Sequence, residues 1–168
     1  MANGRLEVLL VEAQGIRDRD KCIPGCLNCL NPCNQATKPY VHILYAEQER
    51  TSCVAKGKGK KREWNEKFAF EVKYPDGGED RVYKIIFRVM DQHKFTEDVF
   101  VGESTVYVKD ILSIGAEKGK LEVQPRLYRV VQSDKTYSGE ISVAFTFTKI
   151  KDGIEENPEG RKECANQG

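Results

Sequence analysis

Apolar and polar residues alternate with a period of two along most of the chain. Within residues 139–148, Ile141, Val143, Phe145 and Phe147 fall on one side and Glu140, Ser142, Ala144 and Thr146 on the other. That is the pattern of a strand with one buried and one wet face. Tyr83, Ile85, Phe87 and Val89 repeat it, and comparable runs occupy residues 6–13, 40–46, 67–72, 100–108 and 126–132. Pro75-Asp76-Gly77-Gly78 marks a turn, and Gly115 and Gly119 read as brackets of another loop. Only residues 109–114 have helical character, with Asp110 near the start. The pattern predicts an all-β protein: an eight-stranded antiparallel β-sandwich with one short helix.

Three segments interrupt the alternation: a cysteine-rich stretch from Cys22 to Cys33, a basic run from Lys56 to Arg62, and an acidic stretch from Asp91 to Asp98. Loops held at the ends of a rigid sandwich are where function concentrates. From about Ile150 the chain carries Asp152, Glu155, Glu156, Glu159 and Glu163 with few apolar residues, and is expected to be a flexible acidic tail. The expected organisation is a domain over residues 1–149, with a cysteine-rich insertion at 21–35, and a tail over 150–168.

Composition narrows the function classes. A chain of 168 residues suits one domain. With 27 Lys plus Arg against 26 Asp plus Glu, the net charge of +1 excludes a uniformly basic nucleic-acid binder but not a local basic patch. The longest apolar run, residues 8–11, is far too short to span a membrane. Met1-Ala2-Asn3-Gly4-Arg5 has no signal-peptide core and no myristoylation glycine at position 2. The expected location is therefore cytoplasmic, and a secreted disulfide scaffold is disfavoured despite six cysteines.

A series of short strings resembles the C2 domain, a calcium- and lipid-binding β-sandwich. They are Gly4-Arg5-Leu6-Glu7-Val8, Ala13-Gln14-Gly15-Ile16, Lys38-Pro39-Tyr40-Val41, Glu63-Trp64-Asn65-Glu66-Lys67-Phe68, Val89-Met90-Asp91, Phe100-Val101-Gly102-Glu103 and Gly139-Glu140-Ile141. Within the family the chain looks most like its small single-domain plant members, the elicitor-responsive proteins and the 16 kDa phloem protein. The resemblance implies type II strand connectivity. It also implies acidic loops that bind calcium and then dock on anionic phospholipid.

The family's five acidic positions fall here on Asp20, Lys38, Asp91, His93 and Val99. Two carboxylates survive, with Asp18, Glu97 and Asp98 close by, while Lys38 brings an ammonium to the site. Calcium takes six to eight oxygens, so binding is expected to be weak or lost, with Asp20, Asp91 and Asp98 as residual ligands. Asp20 and Asp91 are then expected to be loop residues that hydrogen-bond the loop backbone or pair with Lys38, which would act as an internal substitute for the ion.

The insertion lengthens the loop that family members press onto membranes. Cys22, Cys26, Cys29 and Cys33 lie at spacings x3, x2 and x3. Three readings stay open: a tetrahedral zinc site, S-acylation beside Ile23, Leu27 and Leu30, or an exposed loop of reduced thiols. Cys53 is expected inside a strand as a small buried hydrophobe, and Cys164 lies in the tail.

Lys56, Lys58, Lys60, Lys61 and Arg62 place five positive charges in seven residues. Such a run attracts anionic headgroups, and nucleic-acid phosphates by the same physics. Neither a nucleophile elbow nor a phosphate loop or dinucleotide fingerprint is present, so the chain is expected to be non-enzymatic and to have no small-molecule substrate. The leading expectation is a peripheral membrane-targeting module for anionic phospholipid, with weak or no calcium dependence and a signalling or defence role. The alternative is a phloem-protein-like carrier that binds RNA or partner proteins for cell-to-cell transport.

Overall fold

The computed structural model describes residues 2–16, 37–57, 59–75, 82–150 and 164. Eight strands and one helix follow in chain order: β1 (Ala2–Gln14), β2 (Pro39–Tyr45), β3 (Gln48–Thr51), β4 (Lys61–Tyr74), β5 (Lys84–Asp91), β6 (Val99–Tyr107), α1 (Lys109–Lys118), β7 (Lys120–Val131) and β8 (Tyr137–Lys149). The strands bond in the order β3-β2-β5-β6-β7-β8-β1-β4, every pair antiparallel. β6 and β7 share a single ladder pair, Glu103 with Val131, supported by the Ser104 hydroxyl donating to the Arg129 carbonyl at 2.6 Å. The ladder therefore divides into two four-stranded layers, β3-β2-β5-β6 and β7-β8-β1-β4. Their inner faces meet at contacts such as Phe87 of β5 against Phe145 of β8, edge to face with centroids 6.3 Å apart.

On the opposite side the outer edges are stitched by one side chain. Gln48 of β3 donates to the Glu71 carbonyl of β4 at 2.7 Å and accepts from the Glu71 amide at 2.9 Å. The sheet is thus nearly closed, and an amide side chain caps edges that would otherwise stand open.

The period-two pattern drives this arrangement. Ile141, Val143, Phe145 and Phe147 are all buried, as are Tyr83, Ile85, Phe87 and Val89. In β1 the buried set runs Leu6, Val8, Leu10 and then shifts phase to Ala13. The register slips between Leu10 and Glu12 against both neighbours, and this bulge returns Ala13 to the core face.

Three expectations need correction. The helix continues beyond residue 114 to Lys118, and Gly115 lies inside it rather than in a loop. A Cβ at Gly115 would collide with the Phe147 ring, so the glycine is what lets the helix lie on the sheet. The loop signal was real only at Gly119, whose left-handed φ of 89° ends the helix and returns its amide to the Gly115 carbonyl. Cys53 is not in a strand and is only half-buried. It forms a disulfide with Cys164, 111 positions away, with Cα atoms 5.4 Å apart. Residues 151–163 lie outside the described set, but Cys164 is covalently tied to the sandwich.

Candidate functional site

Strand direction brings the informative loops to one end. β1 finishes at Gln14, β2 starts at Pro39, β4 starts at Lys61, β5 finishes at Asp91 and β6 starts at Val99. Gln14 pairs with Lys61, Pro39 with Asp91, and Asp91 with Val99. Two further backbone bonds hold the basic loop against this end: Gly15 N–H to the Lys60 carbonyl and Ala55 N–H to the Pro39 carbonyl, both 2.8 Å. The basic run and the acidic loop are therefore neighbours. Reading the two as separate segments missed this, although the C2 resemblance carried the information in its strand order.

Within the basic run the residues have different roles. Lys56, Lys60 and Lys61 are exposed, whereas Arg62 is buried, only 4% exposed. Its Nε donates to the Gly59 carbonyl at 3.1 Å and its Nη1 to the Gly57 carbonyl at 2.9 Å. Arg62, which the sequence grouped with the four lysines, thus holds the loop from inside. Lys61 lies 3.6 Å from Glu12 and 3.5 Å from Glu63, so part of its charge is met locally. Lys58 lies outside the described residues.

The acidic loop is wired to itself. Asp91 is buried; its Oδ1 accepts the Lys38 amide at 2.9 Å and its Oδ2 lies 3.4 Å from His93 Nε2. Asp98 accepts the His93 amide through Oδ1 at 3.0 Å and the Tyr40 hydroxyl through Oδ2. These bonds, the hydroxyl first, hold the Asp98 carboxyl below its usual range. Tyr40 moves the other way, pushed up to about 12 by burial and then by the bond to Asp98.

Only part of the calcium site implied by the resemblance lies among the described residues, and the carboxylates of that part are already bonded within the chain. Each carboxylate oxygen of Asp91 and Asp98 already faces a donor or an imidazole of the chain, and Val99 supplies no ligand. Among the described residues no group of three or more acidic or histidine ligands gathers at these loops, whereas a hard divalent ion takes six to eight oxygens. Of the two arrangements expected for Asp91 the structure has the bond to loop backbone: the Lys38 amide holds it while the Lys38 side chain is exposed, and His93 stands where an acidic ligand is implied. Asp20 and the four cysteines Cys22, Cys26, Cys29 and Cys33 lie outside the described residues.

One residue of this end gave no sequence signal. Phe95 is 90% exposed on the acidic loop, with the Lys94 ammonium 5.5 Å from its ring centre. A bare aromatic beside a lysine, on the same end as the exposed lysines of the basic loop, makes a surface that is both cationic and apolar.

The fold and loop arrangement define a C2 module, and the chain belongs to the C2 domain family, whose model matches residues 4–123. It is 40% identical over 146 residues to elicitor-responsive protein 1 of Oryza sativa subsp. japonica, spanning 87% of this chain and 85% of that one. To 16 kDa phloem protein 1 of Arabidopsis thaliana it is 37% identical over 153 residues, 90% of this chain and 89% of the relative. Among solved structures, a C2 domain-containing protein from an elicitor-responsive gene superposes with a TM-score of 0.60 at 33% identity, covering 92% of this chain and 95% of that one. The C2A domain of plant Extended Synaptotagmin 1 shares the fold, with a TM-score of 0.58 at 20% identity over 90% and 99% of the two chains.

Proposed function

We propose that the protein is a non-enzymatic membrane-targeting module that binds anionic phospholipid at the cytoplasmic face without needing calcium. The observation that carries this reading is the shared end of the sandwich: exposed Lys56, Lys60 and Lys61 at the same end as an exposed Lys94–Phe95 tip and as carboxylates already bonded to the chain's own donors. Lys58 completes the basic set by sequence. Each lysine near an anionic surface contributes about 1 kcal/mol of attraction, and Phe95 adds apolar burial that a nucleic-acid backbone does not offer. No helix among the described residues is long and apolar enough to cross a membrane, which accords with peripheral attachment. In this reading a fixed positive surface replaces the calcium-dependent change of sign. The four-cysteine insertion, which falls between β1 and β2 in the sequence, would add an acyl anchor or a zinc-braced loop, or remain a loop of reduced thiols.

The test is co-sedimentation with phosphatidylserine vesicles using Lys56, Lys58, Lys60 and Lys61 all replaced by Ala. Loss of binding supports the reading, and unchanged binding overturns it. A parallel arm with single-stranded RNA as competitor addresses the carrier alternative. RNA that displaces vesicles and binds with a steep salt dependence whatever the lipid composition would favour the carrier.

A further inference from the structure

The disulfide lies beside a carboxylate that makes it more than a staple. Cys53 is fixed on three sides: its amide donates to Glu66 Oε2 at 3.0 Å, and its carbonyl accepts the Trp64 indole N–H at 3.0 Å and the Ser52 hydroxyl at 2.8 Å. One ligand atom from each of Cys53, Glu66 and Cys164 lies within 4.8 Å of the other two. Cys53 and Glu66 are half-buried, whereas Cys164 is exposed and open to thiol reagents.

We propose that the reduced form of this pair, with Glu66, is a binding site for a sulfur-seeking divalent metal of the zinc type, and that the disulfide is its closed state. A tetrahedral zinc with two thiolates and a carboxylate needs ligand atoms roughly 3.5 Å apart, and small side-chain rotations cover the difference. Water would take the fourth position. Sulfur ligands select zinc over calcium, so this site is distinct from the acidic loop. The opening step is thiol–disulfide exchange with a dithiol reductant. One reductant thiolate attacks the exposed Cys164 sulfur and the S–S bond breaks, releasing Cys53 as thiolate; the second reductant thiol then releases Cys164. The two electrons come from the reductant, which leaves as its own disulfide, and both cysteines take up protons. Metal binding displaces those two protons.

The test uses the full chain with Cys22, Cys26, Cys29 and Cys33 replaced by Ser, so that only Cys53 and Cys164 offer thiols. Reduced chain titrated with cobalt(II) should take one equivalent with thiolate-to-metal charge-transfer bands, and zinc should displace it. The oxidised chain should bind none. Glu66→Gln should weaken binding by at least about tenfold, since even loss of a supporting contact costs that much. If the four-serine chain does not fold, zinc stoichiometry of the reduced native chain against Cys53→Ser/Cys164→Ser answers the same question: one equivalent fewer supports the site. Equal stoichiometry, or a reduced chain without charge-transfer bands, overturns it.

Discussion

The disulfide between Cys53 and Cys164 ties the loop before β4 to the far end of the chain, across 111 positions of sequence. Its closed ring holds β4 to β8 and the helix, so much of the fold lies inside it.

Cross-linking residues this far apart restricts the unfolded chain strongly. Reduction, or Cys164→Ser, should therefore lower stability by about 2–5 kcal/mol, read from denaturant unfolding with and without reductant. Trp64 is the sole tryptophan and its indole N–H bonds to the Cys53 carbonyl. Because a neighbouring disulfide quenches indole emission, reduction of the folded protein should raise its fluorescence. An unchanged midpoint together with unchanged emission would show that the bond does not form.

Arg62 and Lys60 separate structure from binding. Arg62→Ala removes charged donors from the Gly57 and Gly59 carbonyls and should cost roughly 2 kcal/mol or more of stability. Lys60→Ala, at an exposed position, should stay within about 0.5 kcal/mol of the parent in stability while weakening vesicle binding. Equal effects of both on unfolding would contradict the assignment of roles.

Phe95 should act through burial in the membrane rather than through charge. Phe95→Ala should weaken vesicle affinity by about tenfold without shifting the unfolding midpoint. Its loss should persist at high salt, where the lysine contribution is screened. A deficit that vanishes with added salt would place Phe95 off the membrane.

The Tyr40–Asp98 bond sets a pH window. Asp98 has a folded-state pKa below its unfolded one, so its contribution is present above the unfolded value and is lost as pH falls through the folded value. Tyr40 is shifted upwards, so its contribution is full below the ordinary tyrosine range near 10 and is lost as pH rises through about 12. Tyr40→Phe should flatten the stability profile at both extremes and leave the neutral region least changed in slope. A profile identical to that of the parent would show that the bond contributes nothing.

Most of the fold was legible because half-buried strands write their burial into alternate residues, as in Ile141, Val143, Phe145 and Phe147. β3 was not, since Gln48-Glu49-Arg50-Thr51 carries no apolar alternation and is held by backbone pairing to β2 and by the Gln48 side chain. Gly115 misled because glycine marks both turns and close packing, and only the Phe147 ring beneath it distinguishes them. At the candidate site, residue types put Lys38, His93 and Val99 where the resemblance implies acids, but did not say which donors Asp91 and Asp98 would meet. Backbone amides such as those of Lys38 and His93 belong to every residue and leave no mark in sequence. The burial of Arg62 was hidden for a similar reason: its partners are carbonyl groups of flanking glycines, and a charge count treats it like the four lysines.

The most direct measurement is co-sedimentation of the full chain with phosphatidylserine vesicles, once with calcium and once with chelator. Equal binding is expected in both, reduced by salt and lost when the four lysines are replaced. Binding that appears only with calcium would contradict it, because Asp91 and Asp98 would then have to release the Lys38 and His93 amides and the Tyr40 hydroxyl to take the ion.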